Sequence, residues 1–271
     1  MIQATTQVRE TSVPKRRSVG SVLISTTSYS EMVALCQRWA QERRDGRNVQ
    51  THYVCVTSAH GVILADDDAV FASYINTADA ATPDGMPVVW ALRSFGEKQQ
   101  QRVYGPTLMH HLCEASAQHG MRIFLYGSRE ETLQTLRANL TGRFPGLQIA
   151  GSYSPPFRPL TAEEDAHICQ TIRASDTDIL FVGLSTPKQE KWMYEHRHSF
   201  PGTTMIGVGA AFDFHAGTTR QAPLWIQNNG LEWLFRLLME PARLWRRYLL
   251  ITPRFLPLWF GQLLRNRAKP S

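Results

Sequence analysis

From Arg122 to Gly209 the chain changes hydrophobic period at regular intervals. Short apolar runs at Arg122–Tyr126, Leu147–Ala150, Asp178–Gly183 and Thr203–Gly209 alternate with helical patterns. These patterns cover Glu130–Leu140, the segment from a Thr161-x-x-Glu164 capping box to Ala174, and Pro187–His196. An apolar run without polar alternation is a strand buried on both faces, and helices of ten to fifteen residues between such strands imply βαβ units. The expected fold class is therefore α/β: a Rossmann-like, mostly parallel sheet with helices on both faces.

Upstream the pattern is less regular. Ser28-x-x-Glu31 opens a helix with Met32, Leu35, Cys36 and Trp39 on one face. An apolar run Tyr53–Val56 stops at Thr57-Ser58-Ala59-His60, and a polar helical stretch leads to the turn Thr82-Pro83-Asp84-Gly85. A strand over Pro87–Trp90 and a helix over Gly105–His119 complete the reading. Ligands of such sheets bind at the carboxyl ends of the strands, which directs attention to Thr57, Asp84, Gly127, Gly183 and Gly209. The organisation expected is a disordered leader over 1–20, an α/β catalytic domain over 21–217 and a C-terminal helical membrane-associating appendage over 218–271.

Charge separates the last of these from the rest. The net charge is +6, yet the final 52 residues hold nine Lys or Arg against two Glu, a net +7, leaving the first 219 residues at −1. Four of the seven Trp (Trp225, Trp233, Trp245, Trp259) fall in the same stretch. Pro and Arg interrupt it too often for the roughly 18 apolar residues of a membrane span. A cationic, Trp-rich segment of this kind suits a membrane surface, and no nucleic-acid module accompanies the charge. Leu231, Leu234, Phe235 and Leu238 lie at helical spacing, and Leu231, Leu234 and Leu238 are expected to dock on the core, while Arg243, Arg246 and Arg247 are expected to share one helical face. Cys36, Cys55, Cys113 and Cys169 show no C-x-x-C spacing and no neighbouring His cluster, so neither a disulfide framework nor a metal site is expected.

Several residues can carry chemistry. The turns Gly127-Ser128 and Gly183-Leu184-Ser185-Thr186-Pro187-Lys188-Gln189-Glu190 each open a helix, where free backbone N–H groups and the helix dipole favour an anion. Neither is a dinucleotide or P-loop fingerprint. Asp84 is either a turn aspartate bonding its own backbone or a general base at the sheet edge, and Asp213 is a second such carboxylate. Asp66-Asp67-Asp68 points in different directions along a helix and reads as surface. His110, His111 and His215 lack ligand-like spacing and read as structural or surface groups.

The ordered elements Asp84-Gly85-Met86-Pro87, Arg102-Val103-Tyr104-Gly105, Tyr126-Gly127-Ser128, Thr186-Pro187-Lys188-Gln189-Glu190, Gly207-Val208-Gly209-Ala210-Ala211-Phe212-Asp213, Gly230-Leu231-Glu232-Trp233 and Glu240-Pro241-x-Arg243 resemble the WecG/TagA/CpsF glycosyltransferases, family 26, from about Val22 to Tyr248. The resemblance implies inverting transfer of a sugar from a nucleotide donor, usually UDP-linked, to a polyprenyl-diphosphate-linked saccharide. The site would be peripheral, at the cytoplasmic face of the inner membrane, with no metal and no cofactor beyond the UDP-sugar substrate. It places the base on Asp84 with Thr57 beside it. The donor site would use Gly127, Ser128, Gly183, Pro187, Lys188, Gln189, Glu190 and Asp213. Diphosphate and lipid contacts would fall to Arg220, Arg236, Arg243, Arg246 and Arg247. Two positions depart from the pattern: Ala59 replaces the asparagine of T-x-N, with His60 next to it, and Gln221 replaces an arginine. They motivate a second hypothesis, a nucleotide-sugar-binding or scaffolding subunit without turnover. Oligomeric state is left open, a homo-oligomer included.

Overall fold

The computed structural model describes residues 13–47 and 49–268. Among the described residues six parallel strands form the central sheet: β3 (His52–Thr57), β4 (Ala80–Pro83), β5 (Arg122–Gly127), β6 (Gln148–Tyr153), β7 (Ile179–Gly183) and β8 (Thr204–Gly207), in the order β4-β3-β8-β7-β5-β6. Two preceding strands, β1 (Arg16–Val19) and β2 (Val22–Ser25), make a separate antiparallel hairpin.

Alternate residues of each inner strand enter opposite cores. Tyr53, Cys55, Leu180 and Val182 face the side covered by α2 (Ala59–Asp67), α3 (Ala69–Thr77), α4 (Met86–Ser94), α7 (Ala162–Ala174) and α8 (Lys188–Glu195). Val54, Val56, Ile179 and Phe181 face α1 (Tyr29–Arg44), α5 (Gly105–His119), α6 (Glu130–Arg143) and α9 (Ala211–Ala216). Burial on both faces is why these strands read as continuous apolar runs.

The strand order explains where a cleft must open. The helix after β5 leads outward to β6 on one face, whereas the helix after β7 leads back to β8 on the other. Neighbouring strands whose connections diverge leave a crevice at their carboxyl ends, here between β5 and β7. Gly127 and Gly183 end those strands, and a Cβ on Gly127 would lie 2.6 Å from the backbone of Gly183, so the two chains touch where they part.

Three sequence expectations are corrected. The leader boundary at residue 20 falls inside the β1–β2 hairpin, whose Val19↔Val22 pair is closed by Gly20 and Ser21; residues 1–12 of the expected leader lie outside the described residues. A two-residue Gly-Ser connection is a hairpin turn, and Ser25 Oγ ties the hairpin to the sheet by accepting from Ala81 N at 3.0 Å. Pro87–Trp90 lies in helix α4, because Gly85 precedes it as N-cap and Pro87 suits a first turn better than a strand interior. The stretch read as one polar helix before residue 82 is two helices and strand β4, divided by Asp68, whose carboxylate caps α3 through Val70 N and Phe71 N.

The C-terminal part is not set apart from the body. It runs through α10 (Leu224–Asn228), α11 (Glu232–Met239), α12 (Pro241–Trp245), a π-helical turn Arg246–Ile251, a 3₁₀ turn Thr252–Arg254 and α13 (Phe255–Ala268). Helix α13 returns to the sheet: Phe255 is fully buried, Trp259 Nε1 donates to Ser94 Oγ at 2.8 Å, and Arg254 makes a bidentate pair with Asp67. Gln262 bridges the hairpin, donating to Ser18 O and accepting from Gly20 N, both at 2.9 Å. Helix α11 is turned opposite to expectation. Glu232 is its buried residue, whereas Leu231, Leu234 and Leu238 are 40%, 38% and 73% exposed. The reason lies in what the inner face of α11 meets, which is a set of charged groups rather than core.

Candidate active site

Asp84 leaves the end of β4, and its N–H donates to Thr57 O at the end of β3 at 2.9 Å, so two strand ends present one surface. The Asp84 carboxylate is 3.2 Å from Arg102 Nη2, and the same nitrogen lies 2.7 Å from Glu232 Oε2 of α11. Arg102 also sits over the buried Tyr104 ring at 3.9 Å. One guanidinium thus joins the sheet edge to the C-terminal arm. Removing Asp84 from water raises its pKa, against the pull of Arg102 in the other direction, and nearby Glu232 adds to the rise.

A pocket of about 110 Å³ opens beside this carboxylate, lined by Asp84, Arg102, Tyr104, Arg236, Arg247 and His60 among others. Burial and the Arg247 charge depress His60 to about 4, so the ring is neutral at physiological pH, and its Nδ1 is buried without a partner. Thr57 Oγ1 is likewise buried and unpaired.

The switch-point crevice is a second and larger space, a groove of about 1400 Å³. Its wall carries Ser128, Gly183, Ser185, Lys188, Lys191, Arg129, Arg158, Asp213 and Arg243, with Phe157 as exposed aromatic surface over the buried Tyr126 and Trp192. Ser128 and Ser185 hold left-handed φ of 61° and 64°, unusual for residues with a side chain and placed where the two strands diverge. Burial raises the Asp213 carboxyl, while Arg243 and Ser128 pull it down.

The residues expected from sequence are distributed between these spaces. Ser128, Gly183, Lys188 and Asp213 line the groove, and Asp84 lines the smaller pocket. Gly127 and Pro187 shape the turns beneath. Gln189 and Glu190 are 3% and 2% exposed and line neither space; Gln189 Nε2 donates to Glu190 Oε1 at 3.2 Å and Thr186 Oγ1 donates to the same oxygen at 2.8 Å. Burial pushes the Glu190 carboxyl up. This pair supports the turn from below.

The arginines divide as well. Arg243 reaches the groove, paired with Glu240 at 2.6 Å, and Arg236 and Arg247 turn into the pocket. Arg220 and Arg246 are exposed and line neither. The expected common face of Arg243, Arg246 and Arg247 is divided in use: Arg243 reaches the groove, Arg247 the pocket, and Arg246 neither. Sequence reasoning quoted Arg102, Tyr104 and Glu232 inside motifs but gave them no role. A buried Arg between two acids is a tertiary arrangement, and only the charged residues embedded in otherwise apolar motifs hinted at it.

Residues 17–269 match the Glycosyl transferase WecG/TagA/CpsF family. Among curated relatives, the N-acetylglucosaminyldiphosphoundecaprenol N-acetyl-beta-D-mannosaminyltransferase of Bacillus spizizenii is 34% identical over 67% of this chain and 68% of its own length. The protein of the same name from Bacillus subtilis is 30% identical over 68% of this chain and 70% of its own. A match that spans the sheet, both spaces at its carboxyl edge and the returning arm identifies the whole architecture, and the chain belongs to the WecG/TagA/CpsF family of glycosyl transferases.

Proposed function

We propose that the protein is an inverting glycosyltransferase that moves a sugar, of the N-acetylhexosamine class by analogy with the relatives' names, from a UDP-linked donor to a polyprenyl-diphosphate-linked saccharide. The observation that carries this reading is Asp84, a carboxylate desolvated at the sheet edge, fixed by Arg102 and open to a pocket beside the groove. In a single displacement the acceptor oxygen attacks the anomeric carbon from the face opposite the nucleotide. The acceptor proton passes to Asp84 as the carbon–oxygen bond to the diphosphate breaks, and configuration inverts. Negative charge then grows on the leaving diphosphate, where Lys188, Arg243 and the N–H groups of the Ser128 and Ser185 turns supply the opposite sign in the groove. The exposed ring of Phe157 suits a nucleobase. No divalent ion and no cofactor beyond the donor is assigned to this chemistry.

The acceptor carries a lipid, and the arm offers a surface for its membrane. Leu224, Trp225, Leu238 and Leu250 are 73%, 64%, 73% and 58% exposed on a segment of net positive charge. Apolar side chains enter the headgroup boundary while each cation contributes about 1 kcal/mol near an anionic surface. No helix among the described residues is long and apolar enough to cross a membrane, so the association proposed is peripheral. It would lie on the cytoplasmic face of the inner membrane.

Incubation of the purified protein with UDP-sugars and a polyprenyl-diphosphate-linked N-acetylglucosamine tests the reading. Release of UDP with formation of a β-linked disaccharide lipid is expected. UDP binding without turnover on any donor would favour the non-catalytic subunit suggested by Ala59 and Gln221.

A further inference from the structure

We propose that Asp165, Cys169 and His196 form a binding site for one divalent transition-metal ion of the zinc class. The site lies in the groove wall, away from Asp84, and the argument does not depend on the identity of the substrates.

Asp165 and Cys169 are four residues apart on α7 and therefore share a face; His196 follows the last residue of α8. One donor atom from each side chain lies within 4.8 Å of the other two. His196 Nε2 is 3.0 Å from Asp165 Oδ2, and His196 Nδ1 is 2.8 Å from Trp192 O. A carbonyl oxygen only accepts, so Nδ1 carries a proton. A carboxylate likewise only accepts, so in the metal-free protein Nε2–H donates to Asp165 Oδ2, and a metal ion would take the place of that proton on the nitrogen facing the carboxylate and the thiol. An imidazole whose second nitrogen donates to a backbone carbonyl is the orientation that metal-ligating histidines adopt. The ring is further locked between aromatic neighbours: Trp192 stacks at 4.3 Å and Phe200 at 6.0 Å.

The donor set selects the ion. One nitrogen, one sulfur and one oxygen suit Zn²⁺ and Co²⁺, whereas Mg²⁺ and Ca²⁺ require oxygen shells. Ligand bonds of about 2.0–2.3 Å at tetrahedral angles separate donors by roughly 3.3–3.7 Å, so the 3.0 Å His–Asp contact must open by about half an ångström, and a donor pair at the 4.8 Å limit must close by about one. Asp165 is the ligand with freedom to move, at 37% side-chain exposure, while Cys169 and His196 are buried. All three residues line the groove, which provides the path in and leaves the fourth coordination position for water or an anion. A bound ion would fasten α7 to the end of α8 within the groove wall.

The competing account is a simple His196–Asp165 ion pair with Cys169 as packing, and metal binding separates the two. Full-length protein stripped with chelator is titrated with Co²⁺ as a spectroscopic probe. A thiolate-to-cobalt charge-transfer band saturating at one equivalent and bleached by Zn²⁺ is expected. Cys36, Cys55 and Cys113 are buried elsewhere, so the band reports Cys169. Cys169→Ser should abolish the band, and Asp165→Asn, which keeps a hydrogen-bonding group at a partly exposed position, should weaken Co²⁺ affinity at least tenfold. Zn²⁺ at a hundredfold excess over Kd should raise the wild-type Tm by roughly 5–10 °C and leave Cys169→Ser unmoved. Absence of the band in the wild type, or a band and affinity unchanged in both variants, overturns the proposal. Should Cys169→Ser fail to fold, the Asp165→Asn affinity decides alone.

Discussion

The sheet body and helix α11 of the C-terminal arm follow opposite rules of burial. In the body, Leu125, Leu180 and Ile206 are fully buried and the charged residues lie mainly outside. In α11 the acid Glu232 and the cation Arg236 face inward, and Leu234 and Leu238 face out. A helix oriented in this way gains little from apolar burial. What orients it is the ion pair to Arg102 and the charged pocket beneath, together with whatever covers its outer face. Stability resides in the body, and the arm is shaped by the site.

The largest effect that separates the two concerns the body's own carboxylate. Asp84→Asn should lower turnover by about 10³–10⁴-fold, the range for loss of a general base, with UDP affinity within a factor of about three, measured by steady-state kinetics and calorimetry. Unchanged turnover would remove Asp84 from the reaction. Next comes a matched pair of truncations. Leu180→Ala in the sheet should destabilise by about 2–5 kcal/mol, whereas Leu238→Ala on α11 should stay within about 0.5 kcal/mol in the same denaturant titration. Equal losses would mean that the arm is packed as core.

The third test breaks the link between the regions. Arg102→Gln should reduce kcat about 10²-fold and shift the pH profile, because the guanidinium is what opposes the rise of the Asp84 pKa. The carboxylate form takes the proton, so activity falls as pH drops through that pKa. Burial already places this acid limb above the ordinary value of about 3.9, and loss of the cation moves it higher still. A limb that does not move would show that Arg102 acts only on packing. The smallest effect concerns the outer face: Leu238→Glu with Leu250→Glu should cut co-flotation with anionic liposomes about tenfold and leave Tm within about 2 °C.

Much of the body was legible because hydrophobic period and strand burial report the same thing. The runs ending at Thr57, Gly127 and Gly183 were found, and so were the loops that form the site. Strand β4 was missed because Ala80-Ala81-Thr82-Pro83 carries almost no apolar signal, and Pro87–Trp90 misled because Val88 and Val89 favour strands when their helix cap is ignored. The Leu231–Leu238 stripe was correctly placed on a helix and wrongly faced. Spacing reveals amphipathicity but not which side another surface takes. Asp165 and Cys169 lie about thirty residues from His196, so no motif search by spacing brings them together.

The contacts of Gln262 with the β1–β2 hairpin bear on the whole arm. They fasten its far end to the body, while Gly217 and the end of α9 fasten its near end, so α10 to α12 form a strap fixed at both buckles rather than a tail. A strap cannot sink into a bilayer without setting the tilt and height of what it is buckled to. On the membrane reading proposed above, the depth reached by Leu238 and Leu250 therefore fixes how far Asp84 stands from the phosphate plane. Changes at the α13–hairpin seam would be felt as a change in reach toward a lipid-borne hydroxyl.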